Sequence, residues 1–206
     1  MVSSVWTRQR PRAGLSLEQI VAGAVELLDA EGLEALSMRT LAARIGTKAT
    51  SLYRHVANKD ELIELVVDEV YGEMEVPYEG PWQASVAEAA RSLRAMVLRH
   101  PWVASVLGQV GLAELGPNLS DRSARLLALF TDDGFPEDEA DLAMKTVLGY
   151  VVGMTVSEAA YVQLLARSGQ SEDELSLHGV TSKALRDKTF EYGLARVLAG
   201  LGEGRS

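Results

Sequence analysis

Apolar residues recur at three- and four-residue spacing along almost the whole chain, and this periodicity limits the fold more than any other feature of the sequence. The first such stretch, residues 17–31, directly follows Ser16, a residue type that favours the N-cap of a helix. Its apolar face consists of Leu17, Ile20, Val21, Ala24, Leu27 and Leu28. No stretch shows the two-residue alternation of β-branched side chains that is typical of half-buried strands. The sequence therefore predicts an all-α fold.

Caps, glycines and prolines divide the chain into helical segments. Ser37 is the predicted N-cap before residues 38–45, and Asn58 with Glu61 is a predicted capping box before the helix that follows. The predicted helices cover residues 17–31, 38–45, 48–55, 59–76, 82–99, 119–132, 137–165 and 182–201, with a short helix after Pro101. Two prolines and a glycine within residues 76–81 mark the main break. We therefore predict two domains, residues 1–60 and 77–206, joined by the helix over 59–76. Residues 168–177, which are polar, are the expected mobile segment.

Charge is distributed unevenly between the two predicted domains. The whole chain has a net charge of −9, yet residues 1–60 carry eight Lys or Arg against six Asp or Glu. Residues 37–59 contain no acid, and their cations are Arg39, Arg44, Lys48, Arg54 and Lys59. An acidic body with one basic surface can approach a phosphate backbone in only one orientation.

Composition excludes several classes of protein. The chain has no cysteine, which excludes disulfide frameworks, thiolate metal sites and cysteine nucleophiles. Its longest low-polarity run, residues 146–156, is far shorter than the roughly 20 residues that span a bilayer, and no secretory signal opens the chain. The histidines, His55, His100 and His178, lie far apart without metal-ligand spacing. We expect a soluble, cytoplasmic, non-catalytic protein with no cofactor, no metal and no membrane partner.

Two short predicted helices, residues 38–45 and 48–55, are separated only by Gly46 and Thr47. So tight a turn, braced by a preceding helix, is typical of a helix-turn-helix unit. The outward face of the second helix offers Lys48, Ala49, Thr50, Ser51, Tyr53 and His55. Short hydroxyls and a methyl group can reach base edges, and the cations and the tyrosine suit phosphates.

Residues 36–62 contain two motifs in order, Gly-x-x-x-x-x-Leu-Tyr-x-His from Gly46 and Asn-Lys-x-x-Leu from Asn58. By these motifs the segment resembles the DNA-binding domain of the TetR family, and the resemblance extends over about residues 16–70. It implies operator contacts by Arg39, Thr50, Ser51, Tyr53, His55 and Lys59. Close relatives have glutamine and proline where this chain has Ala49 and Thr50, so we expect a different operator. Residues 7–12 form a basic arm that suits phosphate or minor-groove contacts.

Each part of this basic surface also has a simpler interpretation. Five cations without acids are typical of a solvated surface. Tyr53 alone is typical of a half-buried packing residue, and His55 alone of a helix end where it favours the dipole. The order and spacing of these residues across a two-residue turn favour double-stranded DNA as the partner.

Residues 77–206 are similar to the ligand-binding and dimerisation domain of the tetracycline-repressor branch of the family, in residues 125–135, 149–153 and 190–201. The resemblance implies a homodimer with two core helices from each subunit. Residues 137–165 are apolar around most of the helix, and Gly149 and Gly153 leave a groove for a close helix. The expected interface contains Gly149, Val152, Gly153, Val156, Phe190, Leu194 and Val197. The alternative is the central core helix of a monomer.

A small-molecule site between helices is the second implication of this resemblance. The candidate lining residues are Met96, Arg99, His100, Trp102, Leu126, Phe130, Met144, Val147, Tyr150 and Met154. Each also suits an ordinary core or, for Arg99 and His100, an exposed helix end. Tetracycline receptors of this branch present a histidine for the drug-bound metal soon after this point. Residues 103–111 contain none, so a metal–tetracycline complex is not the expected effector.

Together these features predict a three-helix DNA-binding domain followed by a larger helical ligand-binding and dimerisation domain. The expected function is that of a repressor, a homodimer on a palindromic operator that an unknown small molecule releases. A non-catalytic scaffold, whose basic surface binds an acidic protein, is the alternative. Activation in place of repression also stays open, because it depends on where the operator lies relative to a promoter.

Overall fold

The computed structural model describes residues 14–106, 116–169, 171–172 and 182–203. Across these residues the chain is helical and has no strand, so the prediction of an all-α fold is confirmed. The α-helices are α1 Leu17–Glu31, α2 Met38–Arg44, α3 Ala49–Leu52, α4 Lys59–Tyr71, α5 Trp82–Arg99, α6 Val103–Val106, α7 Pro117–Thr131, α8 Glu137–Ser168 and α9 Lys183–Glu203, and Leu33–Ala35 form a 3-10 turn. The predicted basic arm, His178 and most of the expected mobile segment lie outside the described residues.

The first two helices begin at the predicted serine caps. Oγ of Ser16 accepts a hydrogen bond from the backbone N–H of Gln19 at 3.2 Å, and Oγ of Ser37 accepts one from that of Thr40 at 3.1 Å. The side chains of Gln19 and Thr40 accept in return from the backbone N–H groups of the two serines. Both helix starts are therefore capping boxes, which satisfy donors that the helix itself leaves unpaired.

Helix α4, which we call the linking helix, is shorter than predicted. It starts after Asn58, whose Oδ1 accepts from the N–H of Glu61 at 2.8 Å. The carboxylate of Glu61 accepts from the N–H of Ala57 at 2.9 Å and not from that of Asn58, so the predicted capping box is not formed. The helix ends at Tyr71, with Gly72 as its C-cap, and the chain runs on in turns towards residue 76.

The N-terminal helices share one apolar core. Ile20 of α1, Leu41 of α2, Leu52 of α3 and Leu62 of α4 are all fully buried in it, together with Val56 after α3. Burying a leucine or isoleucine side chain contributes about 1.5–3 kcal/mol. Helix α3 packs against α2, α2 packs against α1, and α1 packs against α4, so the shared core holds α3 in place.

The C-terminal domain, predicted as residues 77–206 and called the body below, is built around α8. This helix packs against α5, α7 and α9. Its buried side consists of Ala140, Ala143, Val147, Val151, Thr155 and Ala159. By length and composition alone α8 is also long and apolar enough to cross a membrane. In the structure it packs against three helices of the same chain and contributes Glu158 to the ion pairs described next.

A group of ion pairs joins α5, α8 and α9 inside the body. Arg94 of α5 donates two hydrogen bonds to Glu158 of α8, at 2.8 and 2.9 Å, and one to Asp187 of α9 at 2.7 Å. Arg186 of α9 donates to the same Glu158 at 3.2 Å. Two arginines on one carboxylate compensate its burial, so the group fixes the relative positions of the three helices.

The linking helix is attached to the body by its last two turns. The carboxylate of Asp68 accepts from the backbone N–H groups of Leu119 at 2.9 Å and Asn118 at 3.3 Å, at the start of α7. The residue before α7, Gly116, has no side chain to cap that helix. Asp68 is only 4% exposed and therefore acts as an N-cap supplied by another helix. Arg122 of α7 also donates to the carbonyl of Gly72 at 3.1 Å.

Candidate nucleic-acid interface and ligand cavity

The turn between α2 and α3 is tight because Gly46 adopts a left-handed backbone conformation, with φ of +70°. The N–H of Thr47 donates back to the carbonyl of Ala42 at 2.9 Å, which closes the end of α2. Helix α3 is shorter than predicted, and the chain continues beyond it in turns, with the N–H of His55 donating to Leu52 at 2.8 Å. The predicted helix-turn-helix arrangement is therefore present, with a shorter second helix.

The second helix of this unit has an inner and an outer face. Leu52 and Val56 are fully buried and anchor it to the core of the N-terminal domain. Lys48 and Thr50 are exposed, Tyr53 is 55% exposed, and Ala49 and Ser51 are half-buried beside them. An exposed tyrosine amid small hydroxyl residues has the chemistry that base edges and phosphates require.

The cations of residues 37–59 are not equivalent in the structure. Arg39, Lys48 and Arg54 are exposed, and Lys59 is half-buried in the first turn of the linking helix. Arg44 faces α1 instead and forms an ion pair with Glu31 at 3.2 Å. Arg44 is therefore partly neutralised, whereas the exposed cations are free to face a phosphate backbone.

One edge of the His55 imidazole ring is buried in the protein. The ring is half-buried, and its Nδ1 is buried without a hydrogen-bond partner among the described residues. Only the opposite nitrogen, Nε2, is then positioned to meet a ligand outside. His55 stays a candidate for a single phosphate contact.

An apolar cavity of about 110 Å³ lies where the linking helix meets α5, α7 and α8. Its lining consists of Tyr71, Met74, Leu93, Leu119, Arg122, Ser123, Leu126, Leu148 and Val152. Leu126 is the one member of this lining that we predicted as a ligand residue, and Val152 was predicted at the interface. Burial raises the pKa of Tyr71 to about 12, so its hydroxyl remains protonated at physiological pH.

The other predicted ligand residues lie elsewhere. Phe130 packs against Trp82 and Phe135 in the core. Tyr150 donates to the carbonyl of Phe190 at 2.8 Å, and Val147 is buried within α8. Met144 and Met154 are half-buried on α8, and His100 and Trp102 belong to a polar cluster between the domains. The periodicity of the sequence indicates that these side chains face the protein interior, but it does not indicate whether they line a cavity or pack in the core.

A second, more polar groove of about 370 Å³ contains two of the predicted residues. Met96 and Arg99 line it together with Glu73, Glu75, Glu88, Arg91, Ser92 and Ala95. Acids and arginines alternate along this groove, and Arg99 forms an ion pair with Glu73. Its polar walls distinguish it from the apolar cavity and suit solvent better than an apolar ligand.

The outer face of α8 is not covered by any of the residues that the structure describes. Leu142 is 63% and Leu164 56% exposed, and the exposed glycines Gly149 and Gly153 lie between them on the same side of the helix. A Cβ atom built on either glycine meets no atom within 4 Å. Of the other predicted interface residues, Val156 and Val197 are half-buried. Phe190 and Leu194 are buried inside the single chain, where Phe190 packs against Tyr150, so these two do not present their side chains to a partner.

The chain is similar to known proteins over nearly its full length. Residues 20–66 match the family described as bacterial regulatory proteins, tetR family, and residues 76–204 match the tetracyclin repressor-like C-terminal domain. The HTH-type transcriptional repressor DrrR1 of Streptomyces coeruleorubidus is 35% identical over 196 residues, 94% of this chain and 71% of the relative.

Two solved structures resemble the fold closely. Streptomyces coelicolor ActR in complex with (S)-DNPA has a TM-score of 0.75 and 33% identity, covering 94% of this chain and all of that one. BioQ with its natural double-stranded DNA operator has a TM-score of 0.70 and 26% identity, covering 91% of this chain and 98% of that one. One neighbour thus holds a small molecule and the other holds DNA.

Proposed function

The chain belongs to the TetR family of transcriptional regulators, and from that membership we propose that it is a homodimeric repressor released from a palindromic operator by a small apolar effector. The observation that carries this proposal is the helix-turn-helix unit whose inner face is anchored by Leu52 and whose outer face presents Thr50 and Tyr53. We further propose a non-catalytic, cytoplasmic protein, as for a regulator that acts on DNA directly.

Contacts with DNA divide into base reading and backbone positioning in this proposal. Thr50, Ser51 and Ala49 are short enough to reach base edges and thymine methyl groups from α3. The remaining predicted contacts, Arg39, Lys48, Tyr53, His55 and Lys59, suit phosphates, which fix orientation and supply most of the salt-dependent affinity. BioQ, which shares the fold, is solved on its own operator, and this supports the same docking for the present chain.

A second copy of the chain is the proposed occupant of the outer face of α8. Exposed leucines flank two glycines along that face, and within the described part of the chain nothing covers the glycines. Glycines in a helix interior cost about 1 kcal/mol each relative to alanine, so their presence calls for a close neighbour. Dimerisation also brings together two N-terminal helix-turn-helix domains, each of which we call a reading head (the predicted domain of residues 1–60). The two reading heads fit the two half-sites of a palindrome.

The effector is proposed to enter the apolar cavity between the linking helix and α7. At about 110 Å³ the cavity in this state admits only part of a drug-sized molecule, so binding requires the surrounding helices to move. ActR is solved with (S)-DNPA and with actinorhodin, and this supports an organic small molecule as the ligand class.

The linking helix connects the cavity with the DNA surface. Lys59 stands at one end, and Tyr71 lines the cavity at the other. Asp68 attaches the helix to α7, so a movement of α7 on effector binding is transmitted to the reading head. The operator affinity falls only as far as the effector prefers the arrangement that does not bind DNA.

Selection of bound duplexes from a random-sequence pool tests the DNA-binding part of the proposal. The wild type is expected to enrich one palindromic sequence, and a Tyr53→Ala, Lys59→Ala double variant is expected not to. Tyr78→Ala with Arg125→Ala is the matched control, because it removes an exposed tyrosine and an exposed cation from the body, away from the outer face of α8.

The scaffold alternative predicts a different outcome of the same selection. If the basic surface binds an acidic protein, no sequence is enriched by the wild type at low or moderate salt. Enrichment of the same sequence by both the wild type and the Tyr53→Ala, Lys59→Ala variant would show that other residues read the DNA. The operator found in this way then serves as the reporter for an effector screen.

A further inference from the structure

His100 ends α5 at the junction between the reading head and the body, and it is only 4% exposed. Its Nδ1 lies 2.8 Å from Oδ1 of Asp29, which belongs to α1 of the head. Its Nε2 lies 3.1 Å from Oε1 of Glu73, which directly follows the linking helix. One imidazole ring therefore connects the head, the end of the linking helix and the body.

Two neighbours complete this cluster. Trp102 donates from its indole Nε1 to the same Oδ1 of Asp29 at 2.7 Å, and its ring meets that of His100 edge to face at 6.2 Å. Arg99 forms an ion pair with the second oxygen of Glu73. Among the described residues, two charged groups face the ring directly, Asp29 from α1 and Glu73 from the segment after α4. Arg99 from α5 lies behind Glu73 and contacts it.

The geometry of the ring has a consequence for its protons. A neutral imidazole carries one N–H, and its other nitrogen can only accept. An ionised carboxylate can only accept as well, so a neutral ring can bond to one of its two carboxylates but not to both. Both short contacts are satisfied together only by the imidazolium form, which donates from each nitrogen.

We propose that His100 is a positioning residue, which as an imidazolium clamps Asp29 of the head to Glu73 at the end of the linking helix and so makes operator binding dependent on pH. This inference rests on the proposed function, since it concerns how the head is held for DNA. Loss of the proton leaves the Nε2 lone pair facing the Glu73 carboxylate, which opens that side of the clamp.

The direction of the effect follows from preorganisation. A clamped head is held in one orientation, whereas a released head must lose orientational freedom before both heads of a dimer meet their half-sites. The clamp is complete while the ring carries both protons and is lost when a rise in pH removes one of them. Operator affinity is therefore expected to fall as the pH rises.

Glu73→Gln separates this mechanism from other effects of pH. The amide that it introduces can donate to the Nε2 of a neutral ring while its oxygen still accepts from Arg99, so the clamp no longer needs the extra proton. The wild type is expected to lose at least about fivefold in operator affinity between pH 6 and pH 8, the lower end of ordinary allosteric coupling. Glu73→Gln is expected to lose much less.

Glu75→Gln is the matched control, because it removes an exposed carboxylate two residues away and is expected to behave as the wild type. Any contribution of His55 in the reading head is the same in all three proteins and cancels in the comparison. Equal pH dependence in the wild type and Glu73→Gln would overturn the proposal.

Nitrogen NMR of the histidine side chains gives a second readout that needs no DNA. The chain has only 3 histidines, so His100 can be assigned by comparison with His100→Gln. Both ring nitrogens of His100 are expected to be protonated at pH 6, and Nε2 is expected to be the nitrogen that loses its proton when the pH is raised, with Asp29 still bonded. A neutral ring at pH 6 refutes the clamp, whereas a failed operator selection with a protonated ring refutes only the proposed function.

Discussion

Gly23 of α1 and Ile45 at the end of α2 approach so closely that a Cβ atom on the glycine would lie 2.3 Å from Cγ2 of the isoleucine. Cγ2 is attached directly to the branched Cβ of Ile45 and cannot swing away as a long side chain would. Because Ile45 is the C-cap of α2, the contact sets the distance between the bracing helix and the helix-turn-helix unit.

Gly23→Ala is therefore expected to destabilise the protein by about 1–3 kcal/mol, as overpacking of a core does, and to weaken DNA binding. Denaturant unfolding measures the first effect. Gly200→Ala is the control, since a Cβ there meets nothing within 4 Å and the helix gains propensity. Similar free energies of unfolding for Gly23→Ala and the wild type would mean that α1 and α2 adjust their spacing freely.

Gly153→Leu tests the proposed interface on α8. Within one chain the substitution fills open space and raises helix propensity, so each monomer should be as stable as before or more so. In the dimer the new side chain would keep the two helices apart, and the dissociation constant of the dimer is expected to rise. Sedimentation equilibrium measures it, with Ala84→Leu, an exposed site on α5, as the control. Unchanged dimer affinity would place the interface elsewhere.

Lys59→Ala and Thr50→Ala are expected to affect DNA binding in different ways. Removing a phosphate contact weakens binding to all sequences and lowers the slope of log affinity against log salt by about one. Removing a base contact relaxes the sequence preference at one position and leaves the slope unchanged. Titrations of operator and scrambled duplexes at several salt concentrations distinguish the two. Identical slopes in Lys59→Ala and the wild type would remove Lys59 from the set of phosphate contacts.

Tyr71 links stability to alkaline pH. Its pKa is raised to about 12 by burial, whereas the unfolded chain releases the proton near the ordinary value of 10. The stabilising contribution is complete below pH 10 and is lost between pH 10 and pH 12, by about 1 kcal/mol at pH 11. Tyr71→Phe cannot ionise, so its free energy of unfolding should fall less than that of the wild type between pH 9 and pH 11. Parallel curves would show that Tyr71 ionises freely in the folded protein.

The apolar cavity is expected to bind xenon. Apolar cavities take up xenon or benzene, and aliphatic side chains make up most of this lining beside Tyr71, Arg122 and Ser123. Methyl resonances of Leu93, Leu126 and Leu148 should shift under xenon pressure, while those of the exposed Leu142 should not. Ser123→Leu places a larger side chain in the lining and should suppress the shifts without loss of operator binding. Shifts that persist in this variant would show that xenon binds elsewhere.

The sequence predicted helix boundaries correctly where the boundary depends on residues that are neighbours in the chain. The serine caps at Ser16 and Ser37 are formed as predicted, and α1 and α5 begin and end where the periodicity placed them. The end of α4 was missed, because the helix stops at Gly72 whereas its apolar pattern continues to residue 76. A capping residue is readable from its neighbours in the chain, but a helix end also depends on what the last turn packs against.

Contacts between distant segments were not predictable. Asp29 and His100 are 71 residues apart in sequence, and neither carries a local signal that names the other. The cavity brings together side chains from four helices, and periodicity identified only Leu126 among them. The outward surface of α3 was easier to predict, because placing Thr50 and Tyr53 on it required only the assignment of one helix face.

The bond between Asp68 and the start of α7 bears on the construction of hybrid sensors. The groups that Asp68 holds are backbone N–H groups, which α7 offers whatever its sequence, so one side of this joint is independent of side-chain identity. A reading head that retains the aspartate therefore brings this attachment with it to a foreign body. The other attachments, from Arg122 to Gly72 and from His100 to Asp29, use side chains of the body, so a recipient must supply those two residues itself.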